Sequence, residues 1–466
     1  MNMKLITVLA MALTLSFLNA AQAADQPNFI LILSDDLGYG DIGPFGSTLN
    51  RTPSLDRMAK EGMRLTSFYA NPVCTPSRAQ FMTGCYAKRV SMPNVIFPSC
   101  PTGLSTNEQT VAKLLQAQGY ATMCIGKWHL GDQREFLPTR HGFDHYFGLP
   151  YSNDMGGGEE DPQKDKRPPL PLLRDETVIE APAVQDTLTT RYTDEAVKFI
   201  TEHQSKPFFL YLPHTAVHVP LYPGSNFRGQ SNNGRYGDWV EELDWSAGKI
   251  LDAVRALGLA TNTLVLFTSD NGPWLTQGKN GGLAGPLRGG KGSTWEGGVR
   301  EPTIAWWPGR IPAGADCGAL AANIDILPTF VKLAGGQVPA DRLIDGKDIS
   351  PLLLGKSKES PHEALFYFRS ETLEAVRSGP WKLGLPPQLG AAAQQKRALT
   401  ATNAPRLYNL ETDIGETKDV AAEHPDIVKR LEGYLAKMDS DLGGKQKGPG
   451  VRPAGRVENP KPLRKE

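Results

Sequence analysis

The sequence lacks a net charge, an interior apolar run long enough to cross a membrane, and a rich supply of cysteine. Fifty basic and fifty acidic side chains balance in 466 residues, so the charge gives no reason to expect a nucleic-acid partner. No interior run approaches the roughly 20 apolar residues that a membrane span needs. Five cysteines are too few to brace a chain of this length, and their odd number leaves at least one thiol unpaired or modified.

Glycine and proline are abundant instead. The 48 glycines and 37 prolines make up about 18% of the chain, against an average near 12%, which predicts many loops between short regular elements. Hydrophobic residues form 40% of the chain and charged residues 21%. This is a globular composition with enough chain for about two to three domains.

The N-terminus has the three parts of a secretory signal peptide. Lys4 precedes an apolar run over residues 5–18, and small residues two apart follow at Ala21 and Ala23. The alternative, a membrane anchor, is disfavoured because the run is shorter than a span requires, and no cysteine lies at the cleavage region to accept a lipid. We therefore expect residues 1–23 to be removed, and a periplasmic or secreted product.

Four short aliphatic runs, each typical of a buried strand, end in polar clusters. These are residues 28–34 before Asp35 and Asp36; 121–125 before Gly126, Lys127, Trp128 and His129; 208–212 before His214 and His218; and 264–268 before Asp270 and Asn271. Helical patterns alternate with them over residues 52–61, 106–118 (behind a Ser105/Glu108 capping box), 190–203 and 236–257. The alternation predicts an α/β fold with a large, mostly parallel central sheet sandwiched by helices. All four clusters should then meet at one rim.

The two acidic strand ends suggest a metal site. An Asp-Asp pair after a strand is usually a solvated turn, but here a second acidic strand end accompanies it. Asp35, Asp36, Asp270 and Asn271 offer only oxygen ligands, which suit Ca²⁺ or Mg²⁺ better than Zn²⁺. Packed carboxylates repel one another unless a cation lies among them.

The segment around Cys74 carries a family resemblance. Residues 74–84 (CTPSRAQFMTG) resemble the signature of formylglycine-dependent sulfatases of the arylsulfatase type. Residues 119–122 (GYAT) with 126–131 (GKWHLG) resemble the second signature of that family. Residues 290–302 (GKGSTWEGGVREP) are similar to arylsulfatase A and N-acetylgalactosamine-6-sulfatase relatives. The resemblance covers residues 27–435 and implies the alkaline-phosphatase-like fold.

The resemblance implies a sulfatase that hydrolyses an aryl or carbohydrate sulfate ester through a sulfoenzyme intermediate. Cys74 would be oxidised to formylglycine by a formylglycine-generating or sulfatase-maturing enzyme, and one divalent cation, Ca²⁺ or alternatively Mg²⁺, would assist. Pro76 independently predicts that Cys74 lies at a helix N-terminus, which favours an anion. One hydroxyl of the hydrated aldehyde would attack sulfur, and the other would let sulfate leave.

Site roles follow from the resemblance position by position. The metal ligands would be Asp35, Asp36, Cys74 in its modified form, Asp270 and Asn271. Arg78 would support the nucleophile and the metal site.

The remaining roles concern sulfate and protons. Lys127 and Lys291 would grip the sulfate and neutralise the charge that builds on oxygen. His129 would exchange a proton with the nucleophile, and His218, in preference to His214, would protonate the leaving group.

Two other functions remain open at this point. One is a phosphatase, phosphodiesterase or phosphonate hydrolase of the same superfamily, although too few histidines stand at strand ends for two zinc ions. The other is a noncatalytic binder of sulfated glycans in which Cys74 stays unmodified. We expect the loops over 151–160, 220–236 and 274–287 to set substrate specificity.

Cys85 departs from the family pattern, where arginine is common after Thr-Gly, and this leaves the support of the nucleophile helix open. A disulfide between Cys85 and Cys100 is a hypothesis.

The C-terminal part of the sequence differs in character. Short strand-like runs and an amphipathic helix over 426–438 predict a small antiparallel α+β subdomain. We expect a signal peptide over 1–23, a sulfatase catalytic domain over 24–361, this subdomain over 362–442, and a disordered basic tail over 443–466.

Overall fold

The computed structural model describes residues 26–157, 167–386 and 404–465. The expected signal peptide lies outside these ranges. Within them, no helix combines the length and the apolar character needed to cross a membrane.

The described strands and helices alternate over most of the chain. The strands are β1 (Asn28–Ser34), β2 (Met63–Tyr69), β3 (Thr102–Gly103), β4 (Ala121–Ile125), β5 (His145–Gly148), β6 (Leu172–Arg174), β7 (Thr177–Glu180), β8 (Phe208–Pro213), β9 (Thr263–Ser269), β10 (Arg300–Trp306), β11 (Ala315–Cys317), β12 (Ala321–Ala322), β13 (Leu365–Arg369), β14 (Thr372–Ser378), β15 (Trp381–Gly384), β16 (Arg406–Asn409) and β17 (Gly455–Arg456). The α-helices are α1 (Pro53–Glu61), α2 (Cys74–Thr83), α3 (Val111–Gln116), α4 (Leu188–Glu202), α5 (Gly234–Ala256), α6 (Glu296–Val299), α7 (Ile326–Leu333), α8 (Ser350–Leu353) and α9 (Pro425–Leu442).

The large sheet of the described chain runs β11-β2-β10-β9-β1-β8-β4-β5-β6-β7, with β12 also on β2. Its centre, from β9 through β5, is parallel, as predicted. The sequence did not predict β10, which is antiparallel to both of its neighbours, or the antiparallel edge formed by β6 and β7. The sheet is therefore mixed, with a parallel core.

Alternation along β1 shows how helices cover both faces of the sheet. Phe29, Leu31 and Leu33 pack into one core with α2, α3 and α7, whereas Ile30 and Ile32 pack into the other with α1, α4 and α5. Successive side chains of a strand point to opposite faces, so a continuous apolar run is what a strand buried on both faces requires. This arrangement confirms the predicted α/β class.

One predicted helix start is wrong. The capping box at Ser105 and Glu108 does not begin a helix, because α3 starts at Val111 and the Thr110 side chain caps it by accepting from the Lys113 N–H. The Glu108 carboxylate instead accepts two hydrogen bonds from Arg452, at 2.8 and 2.9 Å. A partner so distant in sequence is invisible to local patterns.

A separate four-stranded antiparallel sheet, β13-β14-β15-β16, forms near the C-terminus with α9 packed on it. Leu431 and Leu435 of α9 bury against β14 and β15. Lys382 of β15 joins this unit to the larger one, because its buried ammonium donates to the Glu296 carboxylate at 2.9 Å and to the Thr294 carbonyl at 2.7 Å. The predicted small antiparallel subdomain with one helix is confirmed.

The prediction of a disordered tail is wrong for residues 443–465. Arg452 donates to Glu108, β17 pairs with β3, and the Lys461 N–H donates to the Gln133 side chain at 2.8 Å. Leu463 packs against the main core. Specific long-range partners hold this segment despite its polar, glycine-rich composition.

The hypothesis of a disulfide between Cys85 and Cys100 is also wrong, since all five cysteines are free thiols. The Cys85 sulfur is 3.3 Å from a guanidinium nitrogen of Arg452, and the Cys100 sulfur is 3.1 Å from the Thr102 hydroxyl. An arginine from the C-terminal segment thus lies beside the position where the family commonly has one of its own.

Candidate active site

Neighbouring parallel strands bring the predicted clusters together at one rim of the sheet. β1 lies between β8 and β9, and Ser34 is in register with Ser269. The Asp270 N–H donates to the Ser34 carbonyl at 3.0 Å, and the Asp35 N–H donates to the Ala216 carbonyl at 2.9 Å. The segments after β1, β8 and β9 are therefore bonded to one another, as the strand ends predict.

Cys74 is the first residue of α2, a helix whose ten residues are all buried. The side chain is only 3% exposed, and burial raises the pKa of its thiol. The charges of Lys127, Lys291, Asp35 and Asp270 all act on this sulfur. Cys74 thus lies within the electrostatic field of the charged residues at the rim.

Asp36 and Asn271 form the most direct link between the two acidic strand ends. The Asn271 side-chain N–H donates to one Asp36 carboxylate oxygen at 2.7 Å, and the Asp36 N–H donates to Asp270 at 3.2 Å. Asp36 has a φ of 61°, an uncommon backbone conformation that turns the chain sharply after β1. The turn directs the side chains of Asp35 and Asp36 into the same site.

Two buried oxygens at this point, Asp35 Oδ1 and Asn271 Oδ1, accept no hydrogen bond from any described residue. Buried polar atoms are normally satisfied, so unpaired acceptors are unusual. Oxygen donors from Asp35, Asp36, Asp270 and Asn271 are the chemistry that a hard divalent cation prefers. The residues present therefore fit the Ca²⁺ or Mg²⁺ that the sequence suggests.

The Arg78 side chain extends from α2 to the acidic residues at the rim. Its guanidinium donates to Asp270 at 2.7 and 3.1 Å and to the Lys127 carbonyl at 2.6 Å, and it lies 3.4 Å from Asp35. The side chain is fully buried. Arg78 ties the nucleophile helix to both acidic strand ends.

The two predicted lysines bind different carboxylates of the acidic group. The Lys127 ammonium donates to Asp35 at 2.5 Å and to the Ser152 hydroxyl at 3.0 Å. The Lys291 ammonium donates to Asp36 at 2.8 Å and lies 4.4 Å from the centre of the Trp274 ring. Both cations are positioned to meet an anion at this site.

The charges around Asp35 and Asp270 give the two carboxyls different proton affinities. Burial raises the pKa of Asp35, but Lys127 and the other nearby cations outweigh it and hold that pKa well below its usual value. Burial and the charge of Asp35 raise the pKa of Asp270. Lys127 thus keeps Asp35 ionised.

His129 has the free nitrogen that a proton acceptor needs. Its Nε2 lies 2.8 Å from the Ile96 carbonyl, and among the described residues its buried Nδ1 has no partner. Burial, with the positive charge of Lys127, lowers the pKa of His129 well below its usual value. A ring that donates from Nε2 to Ile96 leaves Nδ1 as an acceptor.

His218 and His214 lie in different surroundings. His218 Nε2 is 3.6 Å from Asp36, and its ring centre is 5.5 Å from that of Trp274. Burial and the charge of Lys291 lower the pKa of His218. His214 instead faces Ser246 of α5 at 3.3 Å, in the contact between helix and sheet, and burial lowers its pKa to about 3.

Sequence reasoning did not single out Ser152, Asp154 or Glu301. Ser152 binds Lys127, and Asp154 is a largely buried acid on which His218 and Lys127 act electrostatically. Both come shortly after β5, and that position at the same end of the sheet was a signal that could have found them. Glu301 lies on β10 near Asp270 with neither oxygen hydrogen-bonded in the described chain, and burial raises its pKa well above the usual value.

Comparison with known proteins places this geometry in a family. A family model described as Sulfatase matches residues 27–336, and one described as the C-terminal region of aryl-sulfatase matches residues 360–450.

Individual relatives match along almost the whole chain. Arylsulfatase A of Bos taurus is 41% identical, with 92% of each chain covered. N-acetylgalactosamine-6-sulfatase of Canis lupus familiaris is 42% identical, covering 93% of this chain and 90% of the relative. Among solved structures, the PsFucS1 sulfatase from Pseudoalteromonas sp. is 30% identical with a TM-score of 0.81, covering 93% of each chain.

Proposed function

The chain belongs to the sulfatase family and hydrolyses sulfate esters, and from this premise we propose which residues carry out the reaction. Cys74, oxidised to formylglycine, provides the nucleophile, and one divalent cation is held by Asp35, Asp36, Asp270 and Asn271, together with the modified Cys74. The reaction consumes one water and turns a sulfate ester into an alcohol and inorganic sulfate.

The observation that carries this proposal is the pair of buried acceptors near Cys74, Asp35 Oδ1 and Asn271 Oδ1, that no described residue satisfies. When bound, the cation supplies charge that activates the nucleophile and neutralises a sulfate oxygen. The hydrated aldehyde supplies two hydroxyls on one carbon, one to take the sulfuryl group and the other to release it.

Lys127 and Lys291 bind the sulfate in this proposal. The Lys127 ammonium binds Asp35, the Lys291 ammonium binds Asp36, and the charges of both act on Cys74. A sulfate ester held between the two lysines therefore has its sulfur near the nucleophile. Their charges offset the negative charge that grows on oxygen as the ester bond breaks. Arg78 holds Asp270 and α2 in place and needs no contact with substrate.

His129 and His218 move protons. The unpaired Nδ1 of neutral His129 accepts the proton of the attacking hydroxyl. His218 is the proton donor to the leaving oxygen. In the free protein Lys291 helps to lower the pKa of His218, whereas the negative charge of a bound sulfate acts in the opposite sense and favours the protonated ring.

Mass spectrometry of the peptide that contains residue 74, from protein isolated from its native source, tests the proposed modification. We expect an aldehyde at this position, turnover of an aryl sulfate that chelator abolishes, and little turnover of an aryl phosphate. Unmodified cysteine throughout an active preparation would contradict the route, and better turnover of the phosphate would favour a phosphatase.

A leaving-group series tests the role of His218. We expect His218→Asn to slow hydrolysis by roughly 10²-fold or more, and most for alkyl sulfates, whose alcohols are poor leaving groups. His214→Asn is the matched control and should leave this dependence unchanged. Equal losses for good and poor leaving groups would contradict a role in leaving-group protonation.

We further propose that the protein acts in the periplasm or outside the cell after its first 23 residues are removed. Lys4, the apolar run that follows it and the small residues before Ala24 support this location. N-terminal sequencing should find a start near Ala24 in the exported fraction. A chain that keeps Met1 and stays in the cytoplasm would contradict the proposal.

A further inference from the structure

A cleft of about 700 Å³ opens beside the site, and we refer to it as the outer cleft. Trp274 forms part of its wall and also packs against His218 and Lys291, so the outer cleft adjoins the residues that face the sulfate. Its size lies within the roughly 300–1,000 Å³ of ordinary ligand pockets. The residues that line it are Asp154, Val219, Pro220, Leu221, Asn233, Gly234, Arg235, Trp274, Gln277, Lys279 and Asn280.

Two cations of the outer cleft, Arg235 and Lys279, are exposed and form no hydrogen bond or ion pair with any described residue. Arg235 lies in the first turn of α5, where no acidic residue is present. The nearest acid on that helix, Asp238, accepts from three backbone N–H groups of residues 229–231 instead. The positive charge of this wall is therefore available to a ligand.

At the inner end of the cleft the chemistry is different. Asp154 lies close enough to His218 and Lys127 for their charges to act on it, and its buried Oδ1 accepts nothing within the described chain. Trp274 adds a partly exposed aromatic surface to the lining that it shares with Asp154, Arg235 and Lys279. The cleft thus combines a hydrogen-bond acceptor on Asp154, the face of the Trp274 ring and several amide side chains. These features suit a ligand ring that carries several hydroxyl groups.

We propose that the outer cleft binds the sugar residue next to the sulfated one, and that Arg235 and Lys279 select a residue with a second anionic group. This anion is a carboxylate or another sulfate, because both accept charge-assisted hydrogen bonds from guanidinium and ammonium groups. Asp154 accepts a hydrogen bond from a sugar hydroxyl near the scissile ester. The inference rests on the proposed function and specifies the substrate: an acidic sulfated oligosaccharide.

A set of four substrates tests the inference with the mature, modified enzyme. Three are disaccharides with the same sulfate ester, in which the neighbouring residue is neutral, is a uronic acid, or carries a second sulfate; the fourth is an aryl sulfate. We expect both acidic disaccharides to exceed the neutral one roughly tenfold in kcat/KM, since two exposed ion pairs of modest strength give about this factor. The preference should shrink as salt is raised.

The variant Arg235→Ala/Lys279→Ala should lose roughly tenfold more kcat/KM with the acidic disaccharides than with the aryl sulfate, mainly through KM. Arg235→Glu/Lys279→Glu should reverse the preference in favour of the neutral disaccharide. The matched control, Lys198→Ala/Lys429→Ala, removes two exposed cations on other helices and should leave all four rates unchanged.

The possible failures have distinct meanings. Turnover of the aryl sulfate with no preference for either acidic disaccharide would overturn the inference while leaving the proposed function intact. Equal losses of the double variant on all four substrates would also overturn it. No turnover of any substrate by an enzyme shown to carry the aldehyde would overturn the proposed function and the inference with it.

Discussion

Two buried clusters of charge in this molecule resemble each other in composition and differ in how completely their atoms are paired. The rim cluster consists of Asp35, Asp36, Arg78, Lys127, Asp270 and Lys291. The C-terminal cluster consists of Tyr69, Glu296, Arg300, Arg377, Lys382 and Glu416, whose pKa is raised to about 7 by burial. Both oxygens of Glu296 are bonded, one to Lys382 and the other to Tyr69 and Arg300. At the rim, Asp35 keeps one oxygen that no described residue pairs.

Charge alone does not separate the two clusters. Burial raises the pKa of Glu296, but Lys382 and two arginines outweigh it and lower that pKa to about 2, as cations also lower the pKa of Asp35. Both carboxylates are ionised, yet only Glu296 has all of its acceptors in use. We therefore expect an unpaired acceptor on an ionised, buried carboxylate to mark a ligand site, whereas a fully paired carboxylate such as Glu296 stabilises the fold.

The largest expected effect comes from removing the nucleophile. Cys74→Ala should lower kcat/KM for an aryl sulfate by more than roughly 10³-fold, because covalent catalysis is lost. Its melting temperature should stay within about 2 °C of the parent. Cys124→Ala is the matched control among buried thiols and should keep the activity. Substantial turnover by Cys74→Ala would contradict the assignment of the rim as the catalytic site.

The C-terminal cluster should show the opposite pattern. Lys382→Met removes the buried cation that Glu296 and Glu416 share, and should lower the free energy of unfolding by about 3–5 kcal/mol, as expected when one member of a buried ion pair is lost. The activity of the molecules that stay folded should change much less, by under roughly tenfold. Chemical denaturation and single-substrate kinetics measure both quantities. A large loss of kcat without a loss of stability would show that this cluster also takes part in catalysis.

Cation binding sharpens the comparison at the rim. At about 100 times its dissociation constant, Ca²⁺ should raise the unfolding free energy of chelator-treated protein by about 2.7 kcal/mol. Asn271→Leu should weaken this stabilisation, because it removes an unpaired oxygen ligand. The control is Asn323→Leu, since Asn323 also has a buried oxygen that no described residue pairs, but its amide donates to Ser77 and not to Asp36. Equal stabilisation of parent and Asn271→Leu would exclude Asn271 as a ligand.

A substitution far from catalysis tests whether an unpaired oxygen is enough to mark a site. Glu242 has one such oxygen within the described chain, but burial raises its pKa from 4.5 to about 7. Its raised pKa favours folding at low pH and costs stability as pH rises from about 4.5 through 7. Glu242→Gln should therefore gain up to about 3 kcal/mol over the parent at pH 8, about 1 kcal/mol at pH 5 and almost nothing at pH 4. Melting curves across this range measure the gain, and a pH-independent difference would contradict it.

The sequence predicted the parts of the fold that depend on local pattern. The bounds of β1 and β4 are those of the apolar runs, because a strand buried on both faces favours a nearly continuous apolar run. The start of α3 and the order of residues 443–465 were missed because Glu108, and most of the contacts of the C-terminal segment, have partners remote in sequence, as in the hydrogen bond from Arg452 to Glu108. Pairing direction, as for β10, is likewise a property of the assembled sheet.

The position of the rim residues could be predicted because neighbouring parallel strands end at the same edge of the sheet, whatever the conformation of the loops that follow them. The sequence therefore indicated that Asp35 and Asp270 would be neighbours. It could not indicate that Ser152 binds Lys127, or that Asp154 lies near His218, because loops of variable length carry these residues. The sequence therefore indicates the roles of residues at the strand ends, whereas the loop residues that surround a substrate can be identified only from the three-dimensional structure.

The burial of Cys74 has a consequence for how active molecules are made. Asp270 and Lys291, whose charges act on this sulfur in the finished protein, are translated much later than residue 74. An enzyme that must reach the thiol has its opportunity while the nascent chain is still incomplete or unfolded. Under the oxidation of Cys74 that we propose, folding and modification compete for the same thiol, so a host that folds the chain quickly should yield stable protein without activity.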